Sequence, residues 1–161
     1  MESTPHSPKS EVQSLFEADQ KDRSEPNFED SDDLADHDAE RLIRVKELIQ
    51  EGSLITPDDF YAASMILHHS GSVEDILQAH RLAQHAMQSG LEKAKWLTAA
   101  TMDRYLMMNG EKYQKYGTQY RKNQETGKYV LYPVDSETSD EERVKLNLPA
   151  LSEIKREWDD N

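Results

Sequence analysis

Two short strings, Phe60-Tyr61-Ala62-Ala63-Ser64 and Trp96-Leu97-Thr98-Ala99-Ala100, recur 36 positions apart. Each joins a large aromatic residue to small ones, which lets one helix approach another closely. Between them an Ala-rich stretch (Ala79, Ala83, Ala86) offers the facing surface. A period of this length marks helix-pair repeats, in which a unit buries its apolar face only by stacking on its neighbours. A chain with this pattern is held to a layered helical core.

Capping residues place the helices. Thr56-Pro57-Asp58-Asp59 is a helix start: a hydroxyl for the cap, proline at the first position and acids at the positive end of the dipole. That helix should run to about residue 69 and stop at Ser70-Gly71. Ser72 to Asp75 starts the next in capping-box fashion, with Asp in place of Glu, and Gly90 ends it. A third covers about residues 91–108, closed by Asn109-Gly110. Upstream, Ser10 caps a helix over 11–23 with Val12, Leu15, Phe16 and Gln20 on one face. Residues 24–36 are acidic and aperiodic and read as a linker. Leu42, Val45, Leu48 and Ile49 mark a helix over about 37–50.

Beyond Gly110 the period changes. Residues 117–121 and 128–132 read as two short strands, with Tyr120, Tyr129 and Leu131 turned inward. A lone hairpin is marginal in water and must lie against the helices. Short helices are expected from Ser139 and over about 151–158. The string Ile76-x-x-Ala79-His80-x-Leu82-Ala83-x-His85-Ala86-x-x-x-Gly90 resembles the Sel1-like branch of the tetratricopeptide superfamily. The resemblance covers about residues 58–108, too short for a free-standing solenoid, so flanking segments should close its ends. The expected architecture is mainly α, a Sel1/tetratricopeptide-like helical-hairpin core with a small C-terminal β-hairpin. It comprises a flexible lead over 1–9 and one domain over 10–161, with repeat-like helices at 56–109 and a polar hairpin segment at 110–135.

Charge is unevenly placed. The net charge of −13 is carried mostly by residues 1–40, which hold 13 acidic residues against 3 basic ones. Such a balance disfavours nonspecific binding to nucleic acid or anionic membrane. Cysteine is absent, so no thiol chemistry is available. The string MESTPHSPKS lacks the basic and apolar regions of a signal peptide. No apolar run reaches the roughly 18–20 residues that span a bilayer. A cytoplasmic protein without membrane or nucleic-acid partners is expected.

Several polar constellations are candidates for chemistry. Asp103-Arg104 lies on a helix shared with Leu97, Ala100, Leu106 and Met107, which brings at least one of these charges to the core edge. A guanidinium so placed can anchor a carboxylate or phosphate, with Asp103 orienting it or a neighbour; the alternative is a salt bridge between helices. His68 and His69 are adjacent, the wrong spacing for two metal ligands on one helix, and no His-Glu-x-x-His string occurs; no metal or cofactor is expected. His69 is the candidate general acid/base, or else a packed histidine at a helix end. Residues 112–122 interleave tyrosine with lysine and arginine, without a complete nucleic-acid motif. Asp19 and Arg23, four residues apart, read alone as a surface pair, and Asp38, Arg41 and Arg44 as a solvated face.

Together these residues resemble a domain family of unknown function numbered 6624. Its pattern joins Asp-Gln-x-x-Arg, a residue pair ending a helix, Asp-Arg, and Gln-x-Tyr/Phe-Gly-Thr-Gln. Here these read Asp19, Gln20 and Arg23; His68 and His69; Asp103 and Arg104; and Gln114, Tyr116, Gly117, Thr118 and Gln119. His68 stands in the place of glutamine, and Gly71 in the place of an acid. The resemblance spans about residues 11–152 and implies that these residues meet in one cleft. The expected function is an enzyme or ligand-binding protein for a polar small molecule or peptide, anionic or amide-bearing. Arg104 would anchor it, and Gln114, Tyr116, Thr118, Gln119, Asp19 and Arg23 would line the site. The alternative is a non-catalytic helical-repeat module for a protein partner, with an open face around Tyr61 and Met65.

Overall fold

The computed structural model describes residues 8–25 and 32–159, with side chains through Lys155. Its elements are α1 (Glu11–Ser24), α2 (Asp32–Gln50), α3 (Pro57–His68), α4 (Val73–Gln88), α5 (Ala94–Met108), β1 (Tyr120–Lys122), β2 (Tyr129–Leu131), α6 (Asp140–Lys145) and α7 (Leu151–Asp159). The chain is mainly helical, with a small antiparallel hairpin, as the periodicity predicts.

Helices α3, α4 and α5 stack in order, and α1 and α2 pack on α3. Small residues set the spacing: Ala62, Ala63, Ala79, Ala83, Ala86, Ala99 and Ala100 are all buried, with Leu67, Ile76 and Leu97 filling between them. Backbones this close allow side chain to backbone bonds across the seams. Ser64 Oγ donates to the Ala79 carbonyl at 2.7 Å. His80 Nδ1 lies 3.0 Å from the Thr98 carbonyl and donates to it. Burial pushes the His80 pKa down, consistent with a neutral ring that serves packing.

The cap of α3 also holds α1 in place. Thr56 and Asp59 form a capping box. Asp59 is 2% exposed. It accepts from Gln13 Nε2 at 2.7 Å, from the Ser10 hydroxyl, and from the Ile55 and Thr56 amides. Burial raises its pKa, but these donors outweigh burial and hold it at about 2. Its contribution to stability is therefore complete above the unfolded value of 3.8 and is lost as pH falls through about 2. Asp59→Ala is expected to cost on the order of 2 kcal/mol at pH 7 and to flatten the acid limb between about pH 4 and 2. Urea unfolding across that range checks it.

The boundaries differ from expectation in three places. Helix α2 begins at Asp32, within the expected acidic linker, because Asp32 and Asp33 favour the N-terminal dipole and Leu34 is buried. Residues 26–31 of that linker, and 1–7 of the lead, lie outside the described residues. Helix α5 begins at Ala94, after a turn. The strands are shorter than expected, because residues 117–119 leave the hairpin to wrap a side chain of α5. Tyr129, expected inward, is 58% exposed. It pairs with Lys122 at the turn end of the hairpin.

Candidate functional site: a charged cluster at the end of α3

Positions 12, 16, 19 and 23 are spaced by four, three and four, so Asp19 falls on the buried stripe of α1 rather than its surface. It is 1% exposed. Gln20, expected on that face, is exposed and turns back to give Asp19 Oδ2 a bond of 2.9 Å. Arg23 Nε donates to Asp19 Oδ1 at 3.2 Å, and Arg23 Nη2 reaches both oxygens of Asp38 at 2.8 and 3.0 Å. Arg41, 7% exposed, donates to Asp22 at 2.7 Å and to Asp38 at 3.3 Å. The supposed surface pair and much of the supposed solvated face are thus one partly buried network of three carboxylates and two guanidinium groups, in which Asp19 and Arg41 are buried. Arg44 alone stays outside, paired with Glu11, Glu47 and Glu51. Burial pushes the Asp19 carboxyl up, but His69, Arg23 and Gln20 outweigh it and hold it below the usual carboxylate range.

His69, the C-cap of α3, closes this network. Its Nε2 lies 3.3 Å from Asp19 Oδ2 and 3.1 Å from Arg23 Nε. Arg23 Nε carries one hydrogen, so these contacts describe two exclusive arrangements. In one, Arg23 donates to a bare Nε2. In the other, Nε2–H donates to Asp19, Arg23 donates to Asp19 as well, and the remaining nitrogen, Nδ1, holds the lone pair of a general base. An open cleft of ≈160 Å³ lies beside His69, lined also by Asp38, Ala39, Leu42, Ile66, Ser70 and Gly71. It is smaller than the roughly 300–1,000 Å³ of drug-sized pockets, so it suits one small polar group.

One residue back, His68 is half-buried with its Nδ1 shielded and unpaired. Burial, then the nearby charges of Arg104 and His69, bring its pKa down to about 3. Arg104 Nε is likewise shielded without an acceptor, and among the described residues no carboxylate pairs with this guanidinium. Burial alone pushes its pKa down. Because Arg104 has no ion pair to lose, Arg104→Gln is expected to leave stability within about 0.5 kcal/mol of the parent or to raise it. Urea unfolding at neutral pH checks it.

Asp103 does not orient Arg104. It is fully buried and holds the loop after α5. Oδ1 accepts from the Lys115 and Tyr116 amides at 2.8 Å each, and Oδ2 from the Gly117 and Thr118 amides and the Thr118 hydroxyl at 3.1, 3.0 and 2.7 Å. Consecutive amides converging on one carboxylate form an anion nest, here filled from within the chain. Gly117 makes the turn possible: its φ is +105°, and a Cβ there would sit 3.3 Å from Ile154 Cδ1. Gln114, fully buried, donates to the Gln119 and Tyr132 carbonyls at 2.9 and 2.8 Å and accepts from the Gln119 amide at 2.8 Å. Arg143, 1% exposed, donates to the Tyr116 carbonyl at 3.0 Å.

The expected site residues therefore fall into two sets. Asp19, Arg23 and His69 meet in one cluster, joined by Asp22, Asp38 and Arg41, and of these His69 and Asp38 line the cleft. Asp103, Gln114, Thr118 and Gln119 bind one another and the backbone of residues 114–119, and the Tyr116 backbone joins them. Among the described residues no hydrogen bond or ion pair joins the two sets, so they do not form the single expected cleft. Arg104 belongs with His68. The signal for Asp22, Asp38 and Arg41 was present in their spacing but needed the partner helix to be read, and nothing in the sequence singled out Arg143. Among the described residues no cluster of His, Asp or Glu could hold a metal, and no helix is long and apolar enough to cross a membrane. No protein-family model, curated protein or solved structure matches this chain.

Proposed function

We propose that the cleft at the end of α3 binds a polar small molecule or a peptide side chain, and that His69, held by Asp19, exchanges a proton with it. The observation that carries this reading is the buried Asp19 carboxylate on His69 Nε2 beside an open cleft. A carboxylate behind an imidazole fixes its tautomer and stabilises its cation, which is the arrangement a general acid/base needs. The cluster has no cofactor role in this reading; its chemistry is hydrogen bonding and proton transfer. The small volume favours a carboxylate, an amide or a phosphate as the group bound, with Arg104 as the anchor of an anionic part.

The geometry gives the interaction-module reading less support. Tyr61, on the face such a module would present, packs edge-on against Phe16 of α1 at 5.7 Å and lies under Lys93 at 4.6 Å.

The test is a titration of the full chain with primary amides, carboxylates and short peptides, followed through the His69 ring resonances. At least one class should give a saturable shift. His69→Gln should weaken that ligand about tenfold or more, a loss of about 1.4 kcal/mol. Asp19→Asn should keep binding but change the tautomer at Nδ1, read from the ring nitrogen shifts. If no class moves the His69 ring, the proposal is wrong.

A further inference from the structure

We infer that Arg104 and His68, at the seam of α3 and α5, bind an oxyanion, a carboxylate or a phosphate, carried by the ligand of the adjacent cleft. The inference rests on reading that cleft as a ligand site. Two shielded polar atoms are unpaired here, Arg104 Nε and His68 Nδ1. Arg104 Nε is an obligate donor, and a neutral imidazole can place its hydrogen on Nδ1. Such orphaned groups are costly in a protein interior unless a partner arrives. An oxyanion is the partner that satisfies both and cancels the guanidinium charge. The other charges nearby are already engaged. Asp103 is held by the 115–118 amides. Asp19, Arg23, Asp38 and Arg41 bind one another or His69. Asp75 of α4 is taken by Ser70 and Lys46.

Binding should also take up a proton. Arg104 and His69 are the charges that keep His68 neutral, after burial itself. An anion seated on Arg104 removes one of them, and the α3 C-terminus favours a cation at His68. Affinity should therefore rise as pH falls, by up to tenfold per unit where the bound ring is protonated and the free ring is not.

The probe is sulfate, whose charge does not change over the pH range used, with acetate as the carboxylate arm and chloride holding ionic strength constant. The full chain is titrated by calorimetry and through the His68 ring resonances. Saturable sulfate or acetate binding is expected, tighter at pH 5.5 than at about pH 7.5. Arg104→Gln should weaken it about tenfold or more, and Arg104→Lys, which keeps the charge but loses the Nε donor, by a smaller factor. His69→Gln, which removes one of the charges facing His68, should leave saturable anion binding in place. Preference for sulfate identifies a phosphate-like group, and preference for acetate a carboxylate. The inference is overturned if neither anion moves the His68 ring up to about 50 mM, or if Arg104→Gln binds as tightly as the parent. In that event a His69 response to neutral amides would leave the cleft reading standing, and its absence would remove both.

Discussion

Asp103→Ala is expected to lose about 3–5 kcal/mol of stability, the largest effect of any single substitution considered for this chain. The side chain is fully buried, and its two oxygens accept five hydrogen bonds from residues 115–118. Truncation leaves four backbone amides and a hydroxyl facing each other without an acceptor, and unsatisfied groups of this kind cost about 1–3 kcal/mol each before relaxation. Asp103→Asn should lose nearly as much, because its amide hydrogens would point at donors. Thr118→Val, which removes one donor and leaves the nest intact, should cost about 1 kcal/mol. The midpoint of urea unfolding measures all three, with an unchanged slope as the sign that the same structure is lost. A loss below about 1 kcal/mol for Asp103→Ala would mean that the loop is held by Gln114 and Arg143 instead.

The second large effect is on acid stability. His68 has its pKa brought from 6.5 down to about 3, by burial first and then by Arg104 and His69. Above 6.5 the ring is neutral in both states and contributes no pH dependence. Below 6.5 the unfolded chain takes up a proton that the folded chain refuses, so stability is lost as pH falls towards about 3. The slope is about 1.4 kcal/mol per pH unit for one proton. Between pH 7 and 5 the parent should therefore lose about 2 kcal/mol more than His68→Gln, which cannot titrate. Paired urea curves at the two pH values decide it. Parallel losses would show that the folded ring protonates freely. Asp59 acts in the same direction but lower, as pH falls through about 2, so the two can be separated by pH.

How far the site was legible follows from range. The cap at Thr56 and Asp59, the glycines after α4 and α5, and the alanines of α3, α4 and α5 act within a turn or along one helix face, and their spacing showed them directly. The inward face of α1 is only partly legible from its spacing. Asp19 lies on the same stripe as Val12 and Phe16, but an acid there looks like surface until a cation from another helix is known to meet it. Arg41 of α2 does so, beside Arg23 of the same helix as Asp19. Asp103 is expected to orient Arg104 or a neighbour; adjacent helical side chains diverge by about 100°, and the two serve different surroundings.

Periodicity, caps and turn residues set the class of this chain: a stacked helical core, a charged opening segment and a small hairpin, each dictated by interactions within a few residues. Which polar groups lie inside, and whom they face, depended on how α1 and α2 lie across α3 and how the 114–119 loop folds back on α5. Those contacts join residues up to 50 positions apart, as between His69 and Asp19. Burial converts an ordinary acid, arginine or histidine into a partnered or orphaned group, and no local pattern carries that information.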